Sequence, residues 1–346
     1  MNERATLKDI ASLAGVSLTT VSQTLNNKGA ISDTTRTKVM TAAEQLGYQQ
    51  RVSIAPHLNS QLNTVCMLVK RDPDEKVPNP FHYYVMKGIE TECRQLGLEL
   101  KYGSMSVDEN SRAVELPSEL DVRNTDAFLI VGAVVEEGQA FLEHVGERPV
   151  VFINGYLRGA AYDRIGIDNR AGAYNAAHYL IDEGHRHIGF VGGGKNAHPS
   201  INERCEGFVM ALREANLEPS YIADSPVNLS DKTQRAAHSL LKAHPHLTAI
   251  VAASDNVAMG TFKAASELGL KVPDDLSVVG FDNIHGVEHL SPPLTTMAID
   301  KEYLGVAGVR LLYDTSSLET RPNLTTLIKP SLIIRSSAQT LTKQEV

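Results

Sequence analysis

A chain of 346 residues carrying a net charge of −8 is long enough for two or three domains with a sizeable core. No apolar run approaches membrane-spanning length, the first five residues do not read as a signal peptide, and three scattered cysteines (Cys66, Cys93, Cys205) lack metal-ligand spacing. The expectation is a cytoplasmic protein with free thiols, no metal and no membrane partner.

The charge is unevenly placed. Residues 1–60 hold six basic and four acidic side chains, a local +2, which leaves −10 for the rest. A mildly basic head on an acidic body concentrates attraction for a polyanion at one end.

Within the head, LKDIASLAGVSLTTVSQTLN predicts two short helices around a tight turn. Thr6 is a suitable N-cap with Asp9 three residues on, and Ile10, Ala11, Leu13 and Ala14 supply an inward face. Gly15 falls where the first helix must turn left-handed. Ser17 caps the second helix, and Val21 and Leu25 lie one turn apart on its inner side. Leu18, Thr19, Ser22, Gln23 and Asn26 are left facing outward, a set suited to phosphates and base edges. A third helix follows Ser32, with Val39, Ala42, Ala43 and Leu46 inward and Gly47 closing it.

Residues 49–61, QQRVSIAPHLNSQ, are polar, contain Pro56 and read as a linker. From there apolar β-rich runs alternate with helical patterns, the signature of parallel sheets covered by helices. TVCMLVK, LELKYGS, DAFLIVGA and PVVFING belong to a first series; HIGFVGG, TAIVAAS and SVVGFDN belong to a second. Two such series predict two lobes with a cleft at the carboxyl ends of their strands. The boundaries expected are residues 62–163 with 294–320 for the first lobe, and 164–291 with 321–336 for the second. LSPPLTT (residues 290–296) is placed at a crossing between lobes.

TLKDIASLAGVSLTTVSQTLNNKGAIS and TRTKVMTAAEQLGY together resemble the DNA-binding head of the LacI/GalR family of bacterial transcription regulators. Further matches are NPF, IDNRAGA, LIDEGHRHIGFVGG, ERCEGF, VPDDLSVVGFDN and LSPPLTT, so the resemblance runs to about Arg335. It implies residues 1–48 as a helix-turn-helix domain, 49–61 as a hinge and 62–346 as a two-lobed core like periplasmic sugar-binding proteins. It also implies a homodimer that binds a pseudo-palindromic operator and responds to a small, sugar-like effector.

Carried onto this sequence, the resemblance puts Leu18, Thr19 and Gln23 at the bases. Thr6, Ser17, Thr20, Ser22, Asn26 and Tyr48 complete the DNA-binding set, mainly at phosphates. The family's hinge helix wedges a leucine into the minor groove. Here Pro56 interrupts that stretch, and Ile54 or Leu58 stands in for the wedge. For the effector it implies Arg204 and Asp282, a guanidinium and a carboxylate able to fork onto adjacent hydroxyls. Phe81 is the candidate stacking face. Asn154 stands where aspartate is common, Asp255 is a candidate helix cap and ligand contact, and His198 lies in a loop facing the cleft.

VGGGK (residues 191–195) lacks the phosphate-loop spacing, and no catalytic motif appears. An enzyme built on the same lobes, or an exported solute-binding protein, is therefore the weaker reading. The stronger is a ligand-responsive transcription regulator, not an enzyme.

Overall fold

Ser17 and Ser32 start two of the three head helices as their residue types predict. Ser17 Oγ accepts the Thr20 N–H at 3.0 Å and Ser32 Oγ accepts the Thr35 N–H at 3.3 Å. The helices are α1 (Leu7–Ala14), α2 (Leu18–Leu25) and α3 (Asp33–Gln45). The computed structural model describes residues 7–25, 32–46, 62–72, 80–115, 124–194, 197–225, 230–316 and 322–341. The chain divides into two units, Met1–Ser60 and Gln61–Val346.

Ile10, Val21 and Val39 are fully buried in the first unit, with Ala42 and Ala43 completing its core. Gly15 takes φ +66°, the left-handed turn anticipated between α1 and α2. Leu13 and Leu46 do not face inward as expected; they are 51 % and 36 % exposed. At 100° per residue, Ala14 and Ala11 lie on one side of Ile10 and pack on the core, which leaves Leu13 beyond the other edge.

The second unit begins with β1 (Thr64–Arg71), α4 (Pro80–Leu96), β2 (Glu99–Ser106), β3 (Ala127–Val131), β4 (Val134–Val135) and α5 (Gly138–Val145). Next come β5 (Val150–Ile153), β6 (Tyr156–Leu157), β7 (Asp163–Ile167), α6 (Asn169–Asp182), β8 (Ile188–Val191), α7 (Pro199–Glu214), β9 (Ile222–Ala223) and α8 (Ser230–Ala243). The unit ends with β10 (Ala249–Ala252), α9 (Asp255–Glu267), β11 (Ser277–Asp282), β12 (Thr295–Ala298), α10 (Lys301–Thr315), β13 (Thr325–Ile328) and β14 (Ser331–Ile333).

Two six-stranded sheets result, ordered β13-β7-β5-β3-β1-β2 and β14-β12-β11-β10-β8-β9. Their ladders are parallel except for β12 with β14. Strands buried on both faces, such as AFLIV and VVFI, read as continuous apolar runs because helices cover both sides. α4 and α10 cross very closely on the first sheet. A side chain on Gly88 would begin 2.0 Å from the Glu302 carbonyl oxygen, and one on Gly305 2.2 Å from that of Val85.

Three of the expected lobe boundaries are corrected. β7 belongs to the first sheet, so the first crossing follows Ile167 rather than residue 163. β12 belongs to the second sheet, so the return comes after Ala298, and LSPPLTT lies inside the second lobe, with Leu294 fully buried there. β13 pairs with β7 in the first sheet and only β14 finishes on the second. Alternation identifies a strand but not its sheet, and these short runs carry no signal of which neighbour they join.

Candidate functional site

Both sheets point the carboxyl ends of their parallel strands at a shared cleft, where ligands of such sheets bind. On the second lobe the cleft wall is built around Arg204, in the second turn of α7 and 4 % exposed. Its Nε donates to Asn169 Oδ1 at 2.9 Å and its Nη1 to the Ala253 carbonyl at 2.6 Å. The guanidinium stacks over the Phe281 ring at 3.7 Å, and Nη2 lies 3.1 Å from Asp282 Oδ1. Few rotamers remain to be lost when such a fork meets a ligand.

Asp282 ends β11 with φ +106°, strained for a residue with a side chain. Burial raises its carboxyl above the ordinary range, against the pull of Arg204 and Lys301. His198, the N-cap of α7, accepts the Ser200 N–H on Nδ1 at 3.3 Å, which places the neutral ring's proton on Nε2. Burial first, then the cations Lys70 and Arg204, hold that ring well below its usual pKa.

On the first lobe the wall comprises Lys70 at the end of β1, Phe81 and His82 at the start of α4, Ser111, Gly132 after β3, and Asn154 after β5. Lys70 is buried; its Nζ donates to Ser111 Oγ at 2.7 Å and pairs with Asp72 at 3.2 Å. His82 is buried, and desolvation, then Lys70, push its pKa down to about 3. Gly132 takes φ +75°, and a side chain there would begin 2.6 Å from His82 Nε2. Asn154 takes φ +48°, a conformation Asn tolerates, and is 9 % exposed.

Among the described residues, the buried side-chain polar atoms without a hydrogen-bond partner belong to Asn154, Tyr156, Arg164 and His198, and Asp282 Oδ1 has only its ion pair with Arg204. Asn154, His198 and Asp282 line the cleft, Tyr156 packs against His198, and Arg164 stacks on Tyr156. Buried polar groups are normally satisfied, so such a concentration marks a place where a ligand completes the bonding.

Five of the six effector candidates line the cleft: Phe81, Asn154, His198, Arg204 and Asp282. Phe81 also packs into the main core. Asp255 does not line it. Ser254 is the cap of α9, and the Asp255 carboxylate is fully buried, accepting from Ile284 N–H at 2.8 Å and Thr296 Oγ1 at 2.6 Å. Burial, then the charge of Asp282, push its pKa up to about 7. Lys70, His82, Ser111, Ser200, Ser254 and Asn256 were missed. Lys70 carried a usable signal, since it and Arg71 close an otherwise apolar strand.

In the head, Ser17 and Thr20 sit at the start of α2, their hydroxyls 2.8 Å apart, and Thr19 is exposed. For Leu18, Ser22 and Gln23 the backbone alone is described, on α2. Thr6, Asn26, Tyr48, Ile54 and Leu58 lie outside the described residues. Among the described residues, no group of three or more His, Cys, Asp or Glu is arranged to hold a metal ion, and no helix is long and apolar enough to cross a membrane.

A capped three-helix head followed by two parallel-sheet lobes around an unsatisfied polar cleft defines a ligand-responsive DNA-binding regulator. Residues 6–50 match the bacterial regulatory proteins of the lacI family, and residues 177–338 match the periplasmic binding protein-like domain. The chain is 30 % identical over 339 residues to the transcriptional repressor CytR of Escherichia coli K12, spanning 97 % of both chains. It is 30 % identical to the ribose operon repressor of Haemophilus influenzae, over 97 % of this chain and 99 % of that one. Among solved structures, the regulator CelR in complex with cellobiose is 25 % identical with a TM-score of 0.67, over 97 % of this chain and 100 % of that one. A LacI family regulator from Enterococcus faecium with bound ribose is 26 % identical with a TM-score of 0.67, over 81 % of this chain and 100 % of that one. The chain belongs to the LacI family of bacterial transcription regulators. Its function is ligand-responsive, sequence-specific DNA binding in the control of transcription.

Proposed function

We propose that this protein is a cytoplasmic homodimer that represses a sugar-utilisation or related metabolic operon, and that a sugar-like polyol in the cleft changes its grip on a pseudo-palindromic operator. The observation that carries the effector half is the Arg204–Asp282 pair. The guanidinium is already fixed by Asn169, Ala253 and Phe281 and paired with Asp282, so the remaining N–H groups and carboxylate lone pairs of the pair can fork onto adjacent hydroxyls at little entropic cost. The ribose and cellobiose of the two related structures support a sugar-like ligand.

For the DNA half, α2 enters the major groove, with Leu18, Thr19 and Gln23 at the bases. Thr6, Ser17, Thr20, Ser22, Asn26 and Tyr48 hold phosphates and set the register. Ile54 or Leu58 replaces the minor-groove wedge, and Pro56 weakens the central kink. Two heads on a two-fold dimer read two half-sites, and effector binding shifts the population whose heads are correctly spaced.

Selection of bound duplexes from a randomised pool at physiological salt tests this reading. A two-fold symmetric site is the expected product; salt-sensitive retention without sequence preference would contradict it. Gln favours adenine where Arg favours guanine, so Gln23→Arg is expected to change one base pair in each half-site. An unchanged site would remove Gln23 from the base-reading set.

A further inference from the structure

Arg164 is a buried cation that Arg204 and Asp282 leave without a role. It stands on β7, is 9 % exposed, and lays its guanidinium over the Tyr156 ring at 4.0 Å. Its Cζ is 3.0 Å from where a side chain on Gly166 would begin, so it runs toward the carboxyl end of the strand, where the cleft opens. Nε and Nη2 have no hydrogen-bond partner. Glu203 Oε1 is 3.9 Å from Nη2, too far for a hydrogen bond, and Glu203 Oε2 already accepts from Asn169.

Two more unsatisfied groups border the same space. One is the Tyr156 hydroxyl, which burial keeps protonated and whose neighbouring acceptor is the Glu203 carboxylate; the other is Nε2–H of His198, whose ring meets Tyr156 edge-on at 5.2 Å. His198 also lines the main cleft, so one small molecule can reach both places. Two guanidinium N–H groups and an imidazole N–H are thus left without an acceptor on either side of the Tyr156 ring. A guanidinium is bought out of water only where something supplies oxygen to it. Lys70 and Arg204 add positive charge beside His198.

We propose that Arg164, Tyr156 and His198 form a second compartment of the cleft, which takes an oxyanion: the carboxylate or phosphate of an acidic sugar. This rests on the reading of the cleft as the effector site.

The test titrates full-length protein, by calorimetry and by displacement of its selected operator. The probes are glucose, glucuronate, glucose 6-phosphate, ribose, ribose 5-phosphate and inorganic phosphate. Acidic members are expected to bind about tenfold or more tighter than their neutral partners. Glucuronate against glucose 6-phosphate then separates carboxylate from phosphate. Inorganic phosphate alone is expected to raise the Tm. Arg164→Gln should erase the acidic preference while sparing operator binding and neutral-sugar affinity. Arg164→Met should leave the Tm of the free protein unchanged or higher, which a purely structural arginine would not do.

Equal binding of neutral and acidic members, a preference that survives Arg164→Gln, or no stabilisation by any acidic probe would overturn the compartment. Operator displacement by a neutral sugar alone would sink only this inference. Operator binding that no probe alters would sink the effector reading beneath it as well.

Discussion

The two lobes share one plan, a six-stranded sheet with helices on both faces, yet they present different walls to the cleft. The second lobe's wall is locked. Arg204 is held by Asn169, Ala253, Phe281 and Asp282, and Asp282 is kept in a strained backbone conformation opposite it. The first lobe's wall is more varied, with a lysine, a neutral histidine and a left-handed asparagine rising from separate strand ends and loops. The contrast assigns pre-organised recognition of a common ligand feature to one wall and choice among ligands to the other.

The largest effect expected comes from breaking the locked wall. Arg204→Met strands the Asp282 carboxylate in a buried setting and should cost about 3–5 kcal/mol in urea unfolding. It should also abolish the effector response. A loss within the range of an ordinary surface substitution would mean that the wall is not locked.

Gly132→Ala sharpens the other side of the contrast. It forces a side chain to 2.6 Å from His82 Nε2 at φ +75°, at a cost of about 1–3 kcal/mol. The expected readout is changed ligand selectivity with operator affinity intact; unchanged selectivity would remove His82 from the wall.

The smallest effect is a matter of pH. Asp255 is raised from 3.8 to about 7, so the folded state keeps a proton that the unfolded chain releases. Its contribution is fully present below about pH 4 and is lost as pH rises through about 7. His82, lowered from 6.5 to about 3, works in the opposite sense: its contribution is lost as pH falls from about 6.5 toward 3. Asp255→Asn should therefore remove the first trend and make the protein more acid-labile. Parallel unfolding free energies for variant and parent across pH 4–7 would contradict this.

Much of the second lobe's wall was legible in the sequence because it rests on motifs whose spacing fixes backbone and side chain together, as ERCEGF carries Arg204 and VPDDLSVVGFDN carries Asp282. Asp255 was misread for a physical reason. An acid at a helix start suits capping, but Ser254 one residue earlier took the cap and left the carboxylate to brace Ile284 and Thr296. His82 and Arg164 were not legible, because each lies within a strand or helix pattern and gains its place only when distant strand ends meet. The lobe crossings failed likewise, since β12 and β13 read as equivalent short apolar runs and only pairing assigns them to different sheets.

The most direct test of the central claim, that the locked pair couples ligand to operator, is operator affinity by fluorescence anisotropy. It compares the parent protein with Asp282→Asn, each with and without a pool of neutral and acidic sugars. The prediction is equal affinity for the two proteins without sugar, an affinity change of about 5–150-fold in the parent on adding the pool, and none in the variant. A variant that responds as strongly as the parent, or a parent that does not respond at all, would contradict the account.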